Sequence, residues 1–178
     1  ALAEIYENDN QLSARADMLT RISMLTEDDE ERHTTLVLLA ELAENVLKDR
    51  DRAIFAWERL ASTERADEAL IALQRLYDTA DRALDLANVL SQREAMASDE
   101  EMQRGFAFES AEVLTTRTEE VERAIVAWTR FFATYGGDRR AYAHAARLLE
   151  GERKWPELAS ILFEDAKLAD DDEKPSIF

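Results

Sequence analysis

At 178 residues the chain has the length of one domain with a substantial core, and its 22 basic against 39 acidic side chains leave a formal charge of −17. Charge of that sign, spread through the chain, repels phosphate backbones and anionic lipid, which argues against nucleic acid and membrane surfaces as partners; it would attract a basic protein or peptide, but reads first as the solubility of a highly charged helical surface. The absence of cysteine excludes disulfides and thiol chemistry and leaves the compartment open, with a lean towards the cytoplasm, and no apolar run approaches the ~20 residues of a membrane span.

Ala, Leu, Glu and Arg dominate, only four Gly and two Pro interrupt them, and β-branched residues never alternate, so the fold class is all-α. Residues 1–25 are read as a first helix pair. "TEDDEE" at 26–31 opens the next helix, with Thr26 and Asp29 in capping-box spacing and acids where the helix dipole is positive. Behind it Leu36, Leu39, Ala40, Ala43, Val46 and Leu47 form one apolar stripe at helical spacing. A break at 48–51 leads to a second stripe of Ala53, Ile54, Trp57, Leu60 and Ala61, so 29–63 is a second pair and 66–97 a third. "SDEE" at 98–101 repeats the start through Ser98 and Glu101, and the pair 100–135 breaks at 118–121. Gly136-Gly137 and Gly151 end helices, Pro156 suits a first turn, and 138–169 is the fifth pair. "DDDE" at 170–173 reads as a third start of the same kind.

This order hides a repeat. "RAIFAW" at 52–57 returns as "RAIVAW" at 123–128, an offset of 123 − 52 = 71 residues. With residues 1–63 laid over 72–134 without a gap, sixteen positions are identical, among them Ala16/Ala87, Asp28/Asp99, Ala40/Ala111, Ala53/Ala124 and Trp57/Trp128, which is too many for chance over such a window. The matches Ala1/Ala72, Leu2/Leu73 and Tyr6/Tyr77 belong to the same run. With one inserted residue near Gly136 a third copy begins. A pair of 32–36 residues has too little core of its own, so each is expected to stack on its neighbours, with alanines at close crossings and an indole one turn later.

A pair of that length, with small residues at the crossing and an aromatic four positions on, resembles the tetratricopeptide repeat (TPR) or the related half-a-TPR solenoids. In "LLAELAENVLKDRDRAIFAWERLAST" the resemblance matches Ala40, Ala53, Trp57 and Leu60 to the motif; in "ESAEVLTTRTEEVERAIVAWTRFFAT" it matches Ala111, Ala124, Trp128 and Phe131. It implies a right-handed α-solenoid of about five antiparallel pairs, a single domain over 1–178, expected to be a fragment of a longer array. It also implies a non-catalytic scaffold that takes a peptide or helix in a groove lined by first helices. Carried over, the groove positions are Thr34, Val37, Glu41, Glu44 and Asn45 in one copy and Gly105, Phe108, Glu112, Thr115 and Thr116 in the other. Where chaperone-binding TPRs place Lys, Arg and Asn, this chain offers mostly acids and neutral residues, so that function is not expected. A structural spacer or a regulatory helical domain within a larger protein is the alternative.

No Gly-rich phosphate loop, nucleophile elbow or zinc-protease motif occurs, and no catalytic, cofactor-binding or metal-ligating residues are expected. His33 and His144 lack a second ligand at metal spacing and read as surface or helix-packing residues. The acidic runs lack the spacing of a calcium loop and read as helix starts. Trp57 and Trp128 read as core, and Trp155, beside a turn, is the less determined of the three.

Overall fold

The computed structural model describes the backbone of residues 2–172 and the side chains of residues 11–167. The described backbone is helical throughout, with no strand: α1 (Leu2–Leu25), α2 (Asp29–Glu41) continued by a π-helical turn (Leu42–Leu47), α3 (Arg50–Leu60), α4 (Ala66–Thr79), α5 (Ala83–Met96), α6 (Glu100–Arg117), α7 (Val121–Tyr135), α8 (Arg139–Gly151) and α9 (Trp155–Asp172). Two compact units divide at residue 80. In the first, α1 packs on α2 and its π turn, α2 on α3, and α3 on α4. In the second, α5 packs on α6, α6 on α7, α7 on α8 and α8 on α9, while α6 also meets α8. Short connections between consecutive packed helices make these neighbours antiparallel.

The cores are built on small residues. Ala16, Ala40, Ala43, Ala53 and Ala56 are sealed in the first unit, with Leu39, Trp57 and Leu60 filling the space that their closeness leaves. In the second, Trp128 and Phe131 sit among Ala107, Ala111, Ala141 and Ala145, contributed by α6 and α8. An alanine at each crossing lets backbones approach, and one large ring from the third helix then closes the gap. The chain after α7 turns through Gly136 at φ +71°, which closes the helix without the penalty an L side chain meets there. A side chain at Gly137 would run into the Tyr142 ring.

The structure departs from the sequence reading at four places. Residues 2–25 form one helix and not a pair. The position equivalent to Asp81, where φ is +55° between α4 and α5, is Asn10 (81 − 71 = 10), and there the helix simply continues. With neither Gly nor Pro in the segment, nothing local forces the turn. The caps are Asp28 and Asp99, not Thr26 and Ser98: Asp28 accepts from the Glu30 and Glu31 N–H groups and Asp99 from that of Met102. A carboxylate at the residue directly before the helix reaches orphan N–H groups that a hydroxyl further back cannot. Thr26 instead hydrogen-bonds the Glu31 side chain. Val46, placed on the buried stripe, is 56% exposed. The π turn inserts an extra residue, its last amide at Lys48 bonding the Ala43 carbonyl five residues back, and this rotates Val46 off the inner face. Asp170 to Asp172 lie within α9 and do not start a new helix. The matches at Ala1, Leu2 and Tyr6, and the stretch after residue 172, lie outside the residues whose side chains are described.

Candidate functional site

The second unit has a hollow of about 550 Å³ along α6 and the start of α8. Its floor is Phe108, half-buried, with its ring edge-on to Trp128 (5.2 Å between centroids) and to Phe131 (5.8 Å). Stacked behind these rings, His144 lies 5.9 Å from the Trp128 centroid and is therefore a packing residue. The sides are charged. Arg140 from α8 lies over the Phe108 ring at 4.5 Å and donates from Nη2 to Glu112 Oε1 at 3.0 Å. The His144 Nε2 is 3.2 Å from that same oxygen. Arg104 from α6 donates to Asp138 at 2.8 Å, tying α6 to the N-cap of α8. Gly105 leaves open space where a side chain would stand. An apolar floor between ion pairs held across two helices is suited to an apolar anchor residue with hydrogen-bonding neighbours, since such partly exposed pairs exchange partners at small cost.

Of the expected groove positions, Phe108 and Glu112 line this hollow together with Gly105. Thr115 does not: its hydroxyl accepts the Trp128 indole N–H at 2.8 Å and donates to the Ala111 carbonyl. Thr116 is exposed and bonds back to the Glu112 carbonyl. In the first unit Thr34, Glu41 and Asn45 are exposed and Val37 is half-buried. Glu44 is held inside, taking the Trp57 indole N–H at 2.9 Å on Oε2 and the Arg75 guanidinium on Oε1. Positions 44 and 115 thus serve the same end, because a buried indole N–H needs an acceptor. His33 is half-buried on α2, and Trp155 is 56% exposed at the start of α9. Among the described residues no group of three or more His, Asp or Glu is placed to hold a metal ion, and no helix is long and apolar enough to cross a membrane.

Sequence reasoning missed Asp138 and Arg140, which reach the hollow through tertiary packing, and Arg104, one turn before Phe108 on α6. It also missed Glu94, a carboxylate only 4% exposed on α5, bonded by Arg130 (2.6 Å) and by the Tyr135 hydroxyl (2.8 Å) from α7. Burial, and then the hydrogen bond and negative charge of Glu94, hold the Tyr135 phenol above its ordinary pKa. No family model matches the chain, and neither a curated protein nor a solved structure matches it.

Proposed function

We propose that this chain is a TPR-like helical-repeat scaffold, a right-handed α-solenoid, that binds a segment of a partner protein and carries out no chemistry of its own. The support for the repeat is a set of hydrogen bonds related by the 71-residue offset. Trp57 to Glu44 corresponds to Trp128 to Thr115, and Arg52 to Asp17 (2.5 Å) corresponds to Arg123 to Asn88 (2.9 Å). Asp28 and Asp99, the two N-caps, stand at the same offset. The observation that carries the binding function is the Phe108 hollow, an apolar floor flanked by Arg104, Arg140, Glu112 and Asp138. Its occupant is a peptide with one apolar anchor seated on Phe108, and basic flanks are favoured by the charge of −17.

The test is selection of binders from a displayed library of short peptides, followed by titration of the selected peptides against the intact chain and against Phe108→Ser and Arg140→Glu. The reading requires peptides with a common apolar position and a loss of affinity of roughly tenfold or more in Phe108→Ser. Selection that enriches nothing, or binders indifferent to both substitutions, overturns it.

A further inference from the structure

A second cavity, of about 350 Å³, lies between α5, α6 and α7, and its wall has one-sided chemistry. Glu94 lines it. Both hydrogen bonds to that carboxylate fall on Oε1. Oε2 receives none, yet among the described residues the one sealed side-chain oxygen without a partner is Asp165 Oδ1, so Glu94 Oε2 is open to the cavity it lines. Ser91 and Ser110 stand beside it, their oxygens 3.3 Å apart. Both hydroxyls donate to the carbonyl of Ala87, at 3.1 and 3.0 Å. Their protons are engaged, and what they offer the cavity is lone pairs. The donors nearest the carboxylate, the Tyr135 hydroxyl and Arg130, are likewise turned to Oε1. At the rim Arg123 is bonded to Asn88. Apart from the Arg123 and Arg130 guanidiniums, which also line the cavity, its polar surface accepts and does not donate.

The other copy of the repeat tells how this space arose. Subtracting 71 from Ala107, Ser110 and Val126 gives Leu36, Leu39 and Phe55, all larger. Leu36 and Leu39 are sealed in the first unit. Position 23, equivalent to 94, is a buried Ser whose hydroxyl is satisfied by the Thr20 carbonyl. Leu114 and Phe131 are larger than their counterparts Ala43 and Leu60, so the second unit has filled one side and opened the other. A helix joint of this kind thus forms without a buried carboxylate, and burying one is unfavourable unless it is fully paired.

We propose that this cavity is a binding site for a small organic cation rich in N–H donors, an alkylguanidinium or primary alkylammonium group. Its N–H groups sit on Glu94 Oε2 and the Ser91 and Ser110 oxygens, and its alkyl stem lies against Ala107, Val126 and Phe131. A cation replaces water at the carboxylate oxygen that Arg130 and Tyr135, both bonded to Oε1, leave without a donor. The inference is independent of the Phe108 hollow, which faces α8.

The experiment is titration of the full chain with N-butylguanidinium chloride by calorimetry and amide chemical-shift mapping. Saturable binding with a Kd of roughly a millimolar or tighter is expected, with shifts centred on α5 to α7. Glu94→Gln, which keeps the shape and removes the charge, weakens it by about tenfold or more. Ser110→Leu, which imports the residue position 39 carries and is checked for folding by its unfolding midpoint, abolishes it. Tetramethylammonium, a cation without donors, does not compete. Failure to saturate, equal binding of tetramethylammonium, or full binding by a folded Ser110→Leu overturns the proposal. A capped tripeptide with arginine in the middle separates the sources of such a group: if it binds, a partner's side chain fits, and if only the free probe binds, the ligand is a small molecule.

Discussion

The joint of α1, α2 and α3 in the first unit and the joint of α5, α6 and α7 in the second share a skeleton and differ in filling. Three bonds recur at an offset of 71: Arg52 to Asp17 and Arg123 to Asn88, the indole N–H of Trp57 to Glu44 and of Trp128 to Thr115, and Thr20 to the Ala16 carbonyl and Ser91 to that of Ala87. Around them Leu36, Leu39 and Ser23 of the first joint correspond to Ala107, Ser110 and Glu94 of the second. Groups that fix how helices meet are kept even when the acceptor changes from carboxylate to hydroxyl. Groups that merely fill space are free to change, and in the second joint they have changed towards polarity and an open cavity. That divergence separates what the fold requires from what it permits.

Substitutions at matched positions test this division, and the indoles carry the largest effect. Trp128→Ala is expected to cost about 3–5 kcal/mol, and Trp57→Ala to fall at the lower end of that range. Trp128 is 1% exposed and packed on Phe108, Phe131, Phe132 and His144, whereas Trp57 is 5% exposed. Urea unfolding of each variant measures both; a loss under about 1 kcal/mol at either site would remove the indole from the shared skeleton. Next come the fillers, where the sign should reverse. Leu39→Ser leaves a hole in a sealed core and is expected to cost about 2–4 kcal/mol. Ser110→Leu fills a cavity while Ser91 still serves the Ala87 carbonyl, so it is expected to be neutral or to stabilise by about 1 kcal/mol. A destabilisation of about 1–3 kcal/mol by Ser110→Leu would signal overpacking and no usable space.

The caps sharpen the comparison on a smaller scale. Asp28 takes two amide hydrogens and Asp99 one, so Asp28→Ala is expected to cost about 1–2 kcal/mol and Asp99→Ala about 0.5–1 kcal/mol in the same unfolding assay. Equal costs would show that one amide bond carries each cap. Both aspartates already stand out in the sequence as identical positions of the repeat, and the apolar stripes likewise announce α2, α3 and α7 through local spacing. Val46 escapes such reading because a π turn changes the period within a helix, and α1 because nothing in its sequence marks either a turn or its omission. Phe108 is reached through the family resemblance, but Arg140 enters the hollow from the neighbouring helix. Glu94 is the extreme case: "SQREAM" reads as a solvated helix face, and the carboxylate is buried only because Arg130 and Tyr135, 36 and 41 residues away, close over it. Local periodicity reports burial against the helix's own partner; it is silent on polar groups satisfied from a distance.

The smallest expected effect is an alkaline one, in the second unit. Tyr135 and Tyr142 both lie there with phenols held above the ordinary value, by burial first and then by neighbouring carboxylates, Glu94 for Tyr135 and Glu164 for Tyr142. The position equivalent to Tyr135 in the first unit is Glu64 (135 − 71 = 64). A tyrosine whose folded pKa is raised keeps its proton in the folded state after the unfolded chain, at a pKa of about 10, has lost it. Its contribution is therefore complete below that pH and is lost as pH climbs from there through the raised folded value. With Trp57 and Trp155 replaced by Phe, Trp128 fluorescence follows the second unit, and its urea midpoint should decline above about pH 10. Tyr135→Phe should flatten part of that decline while leaving the neutral-pH cavity without the donor to Glu94 Oε1. A decline identical with and without the Tyr135 hydroxyl would mean that this phenol is not held by Glu94, and the donor assignment that leaves Oε2 as the open oxygen would have to be redrawn.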